Sequence, residues 1–113
     1  MKFATLDDGT RDGRLVLVSR DLQRAVHAPS HARTLLQVME NWSQLAPGLQ
    51  RLSEALNQND APDSFPFDPH QALAPLPRAP QWCDGSAFLN HGRLIQRAFQ
   101  LPPQAQEHIP LMY

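Results

Sequence analysis

The first third of the chain carries short apolar runs separated by turn-forming polar residues. β-forming residues occupy positions 2–6 and 14–19, and the loop between them contains two Asp/Gly turns, which is typical of a hairpin. The four residues from Leu15 to Val18 are apolar without alternation, which predicts a strand covered on both faces. With a third short strand expected at 23–27, the pattern predicts a small antiparallel β-meander.

A helical pattern follows the predicted meander. Ser30 is expected as its N-cap, and the proline and glycine at 47 and 48 are expected to kink or split the helix near Ala46. The apolar positions keep their phase across that interruption, which favours one face packed on the sheet. These positions are Leu35, Leu36, Val38, Met39, Trp42, Leu45, Leu49, Leu52 and Leu56.

The second half begins with a connector rich in proline. Residues 57–80 have no helical period, so we expect an ordered connector anchored by Phe65, Phe67 and Leu73. Apolar residues then recur at helical steps from Phe88 to Phe99, which predicts a second helix over 87–100. The fold class is therefore α+β: a small N-terminal antiparallel β-meander packed with a kinked or split amphipathic helix, a Pro-rich connector and a second helix.

The last residues are expected to be irregular. Residues 101–113 contain a pair of prolines and then the apolar group from Ile109 to Tyr113. Such a group is unusual for a solvated terminus, so the chain is expected to be cut short.

Composition and charge exclude several classes of function. A chain of 113 residues with 42% hydrophobic and 19% charged residues is typical of one globular domain. A net charge of −1 without a basic stripe argues against nucleic-acid binding. No apolar run has the length of a membrane span or signal peptide, and the single cysteine cannot form an internal disulfide. A cytoplasmic protein is expected.

Three groups of reactive side chains are better explained by packing or solvation. Cys83 stands beside a carboxylate, which disfavours the thiolate, so it is interpreted as a packing residue. His27 and His31 have no further Cys or His at metal-ligand spacing. The aspartates at 60, 63 and 68 do not have EF-hand spacing, and prolines interrupt them, so a solvated connector is the preferred interpretation.

Asp84 and His91 form the most informative pair. They lie seven residues apart after prolines at 75, 77 and 80, which fix φ and favour an extended, rigid chain. Helical rise would separate them by about 10 Å, enough to hold a small ligand between them but too far to share one metal ion. Two ordinary roles remain open: Asp84 or Ser86 as the N-cap of the second helix, and His91 as a hydrogen-bonded core histidine.

Three segments together resemble the N-terminal part of bacterial proteins of the fumarylacetoacetate hydrolase family. They are residues 75–91, with Asp84 followed at plus seven by His91, the start at 1–13, and the end at 110–113. The resemblance implies that Asp84 is a ligand of a Ca²⁺ or Mg²⁺ ion and that His91 is the general base that activates water. It also implies an N-terminal domain at 1–74, followed at 75–113 by the Pro-rich lead-in and first helix of a catalytic domain.

The family chemistry is hydrolysis of a C–C bond in 1,3-dicarbonyl acids such as fumarylacetoacetate, a step in aromatic amino-acid catabolism. The resemblance implies a C-terminal catalytic domain as partner, which supplies the remaining acids including a Glu-x-Glu motif, and a homodimer. This chain contains no Glu-x-Glu, and Gly85-Ser86-Ala87 replaces the aromatic residue and serines usual between the Asp and the His. Activity of the chain alone is therefore not expected.

Two hypotheses follow from the sequence. The chain is either the N-terminal portion of a metal-dependent hydrolase, contributing Asp84 and His91 to a site completed elsewhere, or a non-catalytic accessory or interaction domain derived from the family. The sequence leaves the exact substrate and the preferred metal open.

Overall fold

The computed structural model describes residues 1–86, 88–102 and 111–112, and it divides the chain into two compact units, Met1–Ala79 and Pro80–Tyr113. The first unit contains β1 (Lys2–Leu6), β2 (Arg14–Val18), β3 (Arg24–His27), α1 (Leu35–Glu40), α2 (Trp42–Asn57) and β4 (Phe65–Pro66), with single 3₁₀ turns at Ser30–Ala32 and Pro69–Gln71. The second contains β5 (Gly85–Ser86), α3 (Leu89–Phe99) and β6 (Leu111–Met112). The α+β class predicted from the sequence is confirmed.

The first unit is built around an antiparallel sheet in the order β1-β2-β3-β4. In β2, Leu15, Val16 and Leu17 are fully buried and Val18 is 3% exposed, which confirms the strand predicted to be covered on both faces. Leu15 and Leu17 pack in the main core, which includes residues of α1 and α2. Val16 and Val18 pack in a second cluster flanked by aromatic residues of the connector. Burial of each such side chain contributes about 1.5–3 kcal/mol.

The first helix begins later than predicted. Ser30 starts a 3₁₀ turn, and the N-cap of α1 is Thr34, so the prediction of Ser30 was wrong. The extended backbone of Thr34 lets its hydroxyl accept from the Gln37 N–H, while the Gln37 side chain accepts from the Thr34 N–H. This reciprocal capping box satisfies two backbone N–H groups at the start of the helix. The 3₁₀ turn that begins at Ser30 has Pro29 at its N-cap position instead, and no side chain caps it.

The break between the helices also lies elsewhere than predicted. Asn41 leaves the helical region at φ −121° and ψ 31°, and its side-chain amide donates to the Gln37 carbonyl at 3.0 Å. Pro47 lies inside α2 without ending it. The missing proline N–H leaves the carbonyl of Ser43 without its helical donor, but both residues are exposed, so water can supply that bond.

The connector forms a strand that the sequence did not predict. Phe65 pairs with Ala25 in β3, and the N–H of Phe67 donates to the Gln23 carbonyl at 2.9 Å. Both phenylalanines pack partly buried on the second cluster, as expected of anchors. The Leu73 side chain is 38% exposed, and this residue is held instead by its backbone N–H, which donates to the Thr5 carbonyl.

In the second unit, α3 runs over Leu89–Phe99 where the sequence predicted 87–100. Gln100 ends it in the left-handed conformation at φ 54°, and the Leu101 N–H donates to the Gln96 carbonyl. The two-residue strands β5 and β6 pair antiparallel, so the prediction of an irregular 101–113 was wrong at Leu111–Met112. The predicted helix start at Ala87, and residues 103–110 and 113, lie outside the described residues.

Gly13 provides a test of the β1–β2 loop. Its φ is +67°, and a Cβ there would lie 2.6 Å from the Thr5 Cγ2 and 2.7 Å from the Leu6 carbonyl oxygen. We expect Gly13→Ala to lower the free energy of unfolding by about 2–4 kcal/mol, because left-handed strain and overpacking add. Urea denaturation followed by circular dichroism measures this change.

The matched control for this test is Gly9→Ala. Gly9 also has a positive φ, +78°, but an added Cβ would meet no atom within 4 Å. This variant should cost only the conformational term of about 1 kcal/mol. Equal decreases in the free energy of unfolding of the two variants would show that the close approach at Gly13 does not affect stability.

Candidate functional site

Asp84 and His91 lie in the second unit, on different elements. Asp84 directly precedes β5, and His91 is the third residue of α3. Both residues are exposed to solvent. The sequence argument separated the two residues by helical rise, which requires a helical chain between them. That premise was wrong, because β5 intervenes and Phe88 is extended at φ −85° and ψ 102°.

Neither ordinary role considered for the pair agrees with the structure. The N-cap position of α3 is occupied by Phe88, and not by Asp84 or Ser86 as considered from the sequence. His91 is exposed and is therefore not a core histidine. The metal-ligand role of Asp84 and the base role of His91 stay predictions.

A hard cation needs more ligands than Asp84 alone supplies. Ca²⁺ takes six to eight oxygen ligands and Mg²⁺ six, from carboxylates, carbonyls and water. Across residues 1–86, 88–102 and 111–112, no group of three or more His, Cys, Asp or Glu side chains is placed to hold a metal ion. The described residues therefore do not form a complete site for either ion.

The other candidate ligands have structural surroundings of their own. Asp68 accepts from the His70 N–H at 2.9 Å and caps the 3₁₀ turn that follows it. The His27 ring lies 4.9 Å from the Phe65 ring, and desolvation followed by the charge of Arg14 lowers the pKa of His27. Cys83, interpreted from the sequence as a packing residue, is exposed.

The second unit presents large apolar side chains to solvent. Phe88 and Phe99 are 74% and 69% exposed at the two ends of α3, and Trp82 before it is 83% exposed. Leu94 and Ile95 are exposed as well. The spacing that predicted an amphipathic helix thus identified the helix correctly, and its apolar residues form an accessible surface.

The residues leading to Asp84 leave the first unit through an anchored segment, residues 73–78, which we call the strap. The Leu73 N–H donates to the Thr5 carbonyl at 2.8 Å, and the Thr5 hydroxyl donates to the Pro75 carbonyl at 2.7 Å. Arg78 donates through Nε to the Asp12 carboxylate at 2.7 Å and through its terminal nitrogen to the second oxygen. The sequence predicted a rigid segment but not these partners.

A crevice with an accessible volume of about 10 Å³ lies beside the strap. It is lined by Thr34 and Leu35 at the start of α1, by Asp12, and by strap residues including Pro75 and Leu76. Small-molecule sites usually enclose about 300–1,000 Å³. This crevice is therefore a packing gap between the strap and α1.

A second charged contact lies on the same β1–β2 loop. One oxygen of Asp8 accepts from the N–H and the hydroxyl of Thr10 at 3.0 and 2.5 Å, and the other accepts from Arg33 at 2.6 Å. The Thr10 hydroxyl and then Arg33 lower the pKa of Asp8 to about 2. The pKa of Asp12 is likewise lowered, chiefly by its hydrogen bonds from Arg78.

The sheet, the helices and the strap together define a small α+β domain whose C-terminal segment is fixed by hydrogen bonds. The family model described as fumarylacetoacetase N-terminal domain 2 matches residues 1–78 of this chain. The chain belongs to this family, through its N-terminal domain. No curated protein was found to match the chain.

The matched residues coincide closely with the first unit, Met1–Ala79, and end before Asp84 and His91. The match therefore supports the domain, and it does not extend to the two candidate site residues. Among the described residues, no helix combines the length and apolar character needed to cross a membrane.

Acid should weaken the contacts of the β1–β2 loop. A carboxyl whose folded-state pKa lies below its ordinary value of 3.8 stabilises the fold fully above that value, and this contribution is lost as the pH falls through about 2 for Asp8. We expect the melting temperature to fall between about pH 5 and pH 2, and to fall less steeply in Asp8→Asn. Thermal melts across this range measure the slopes.

Asp63→Asn is the matched control, because Asp63 is an exposed carboxylate on the connector. Its melting curve should follow that of the wild type across the pH range. An acid slope in Asp8→Asn as steep as in the wild type would contradict the assigned role of Asp8.

Proposed function

We propose that this chain is the N-terminal portion of a metal-dependent hydrolase that cleaves a C–C bond in 1,3-dicarbonyl acids such as fumarylacetoacetate. The observation that carries the proposal is membership of the fumarylacetoacetase N-terminal domain family over residues 1–78. The solvent-exposed Asp84 and His91, immediately beyond the matched domain, support it.

In this proposal His91 is the general base. A neutral imidazole has a ring nitrogen with a free lone pair, which can take a proton from water. Its exposure on the first turn of α3 leaves the ring accessible to water and substrate. A histidine sealed in a core could not perform this step.

Asp84 is proposed as one ligand of a Ca²⁺ or Mg²⁺ ion. Since the described residues do not supply a complete ligand set, the other carboxylates are proposed to come from a C-terminal catalytic domain. The apolar side chains at the ends of α3 give such a domain a surface on which to pack. The active form is proposed to be a cytoplasmic homodimer.

An alternative function is a non-catalytic accessory or interaction domain. The specific observation in its favour is that the matched residues coincide with a unit that has its own buried core, and that both candidate site residues lie outside the match. Such a domain can fold without taking part in a reaction.

Titration of the 113-residue chain with metal tests whether its own residues bind the ion without the proposed catalytic domain. We expect no tight binding of Ca²⁺ or Mg²⁺ by calorimetry, because one carboxylate cannot replace the hydration shell of the ion. The heats should match those of Asp84→Asn. Submicromolar affinity that is lost in Asp84→Asn would show that this chain holds a complete site by itself.

The enzyme assay separates the two proposed functions. The coding sequence should be read past the codon for Tyr113, and the full product assayed for hydrolysis of fumarylacetoacetate and related dicarbonyl acids. Asp84→Asn and His91→Gln should each lower kcat by about 100-fold or more, as expected for a lost ligand and a lost base.

Asp63→Asn and His70→Gln are the matched controls, since both residues are exposed on the connector of the first unit. Each should retain activity within about twofold, as expected of surface substitutions away from the site. Full activity of Asp84→Asn and His91→Gln would refute their roles, and a full product without hydrolase activity would favour the accessory domain.

A further inference from the structure

The dipeptide Asp-Gly occurs three times in the chain, at Asp8-Gly9, Asp12-Gly13 and Asp84-Gly85. In such a pair the backbone nitrogen of the glycine can attack the carboxyl carbon of the aspartate side chain, because glycine has no Cβ to obstruct closure of the ring. The reaction needs an unbound carboxyl group, an unbound backbone nitrogen and a chain that can bring the two together. The three pairs differ in how far the fold meets these requirements.

Both reacting groups of the first pair are bound within the β1–β2 loop. The Asp8 carboxylate accepts hydrogen bonds from Thr10 and Arg33. The Gly9 N–H donates to the Asp7 carboxylate at 2.9 Å. Ring closure at this pair therefore requires that charge-assisted hydrogen bonds to the carboxylate and from the nitrogen break together, which is costly.

The second pair is held in a similar way. Arg78 binds both oxygens of the Asp12 carboxylate. The Gly13 N–H donates to the Thr10 hydroxyl at 3.2 Å. A Cβ added to Gly13 would lie 2.6 Å from the Thr5 Cγ2, so the backbone at this pair has little room to rotate.

The charges near these two carboxylates oppose the reaction as well. Ring closure proceeds from the protonated carboxyl group, because the carboxylate would have to expel a more strongly basic oxygen. The hydrogen bonds from Thr10 and Arg33 lower the pKa of Asp8 to about 2, and those from Arg78 lower the pKa of Asp12. Both groups are therefore protonated less often near neutral pH than an ordinary aspartate.

The third pair lacks these restraints in the described part of the second unit. Asp84 is exposed, and no hydrogen bond or ion pair joins its carboxylate to another described residue. Gly85 pairs with Met112 in a ladder of two residues on each strand. A two-stranded ladder of this length is marginally stable and opens readily. The Gly85 nitrogen becomes available to the Asp84 carboxyl group whenever it opens.

We propose that Asp84-Gly85 is a site of spontaneous isomerisation, at which aspartate converts to isoaspartate through a cyclic imide. The Gly85 nitrogen bonds to the Asp84 Cγ, and the amide proton and the carboxyl hydroxyl leave as water. Water then adds to either imide carbonyl. Cleavage of the bond between the nitrogen and the main-chain carbonyl carbon gives isoaspartate, and cleavage of the new bond to Cγ restores aspartate. The water released in the first step is consumed in the second, so no other reactant is needed.

Conversion alters the chain at the candidate metal ligand. In isoaspartate the main chain runs through the side-chain carbons of Asp84, which lengthens it by a CH₂ group, and the former main-chain carbonyl becomes the charged branch. The lengthened chain no longer matches the register of β5 with β6. The isomerisation does not depend on the proposed function, but under that function it would also displace the metal ligand.

Ageing of the 113-residue chain at neutral pH tests the site. Peptide mapping with electron-transfer fragmentation distinguishes isoaspartate from aspartate at each pair. We expect isoaspartate to accumulate at Asp84 at least about tenfold faster than at Asp8 or Asp12, whose hydrogen bonds must break first. In urea that unfolds the chain, the three rates should agree within about threefold, since the contacts that distinguish the pairs are then lost.

Two variants separate the chemistry of the pair from the protection by the fold. Gly85→Ala should slow the reaction at Asp84 by about two- to fivefold, because a Cβ hinders ring closure. Arg78→Gln should raise the rate at Asp12 by about two- to fivefold, as expected for loss of an exposed ion pair, and should leave the rate at Asp8 unchanged as the internal control.

Three results would overturn the proposal. The first is a rate at Asp84 in the folded chain no faster than the rates at Asp8 and Asp12. The second is an unchanged rate at Asp84 in Gly85→Ala. The third is an unchanged rate at Asp12 in Arg78→Gln, since the contrast between the pairs would then not arise from the contacts of their carboxylates.

Discussion

The fold of the first unit depends on one constraint: β2 has no face toward solvent. A strand that is apolar on both faces needs two covering layers, and the chain supplies one from its helices and another from its connector. The amphipathic helices bury Val38, Leu49 and Leu56 on one side. Phe65 and Phe67 return from the connector to pack on the other. The family match over this unit is therefore a match to a complete two-sided core.

The elements that were predicted correctly are set by local sequence patterns. The elements that were missed depend on pairing with residues distant in the chain. The strand at 2–6 was predicted to the residue, and β2 to within one residue, because composition and turn signals were both local. The two residues of β4 have no period of their own and are a strand only because Ala25 is opposite Phe65. The helix was predicted to begin after Ser30, but its N-cap is Thr34, where Gln37 three residues later completes the capping box.

For the candidate site, the sequence identified suitable residue types but not their geometry. The resemblance selected Asp84 and His91 as chemically suitable groups, and both prove accessible to solvent, as a ligand and a base require. Their relation to one another could not be read from helical spacing, since β5 depends on residues 111 and 112. Likewise the contact of Arg78 with Asp12 has no signal in either local sequence. Helical spacing applies only within one helix, whereas the strand β5 lies between Asp84 and the start of α3.

The contacts of Thr5 with the strap have a consequence for solubility. β1 is the outermost strand of its sheet, and an outer strand with free N–H and carbonyl groups is a template on which another chain can pair and aggregate. Here Leu6 forms a bridge with Ala72, and the Thr5 carbonyl is occupied by Leu73. Ala72 and Leu73 thus occupy part of the free edge of β1 and block the pairing of another chain along Thr5 and Leu6.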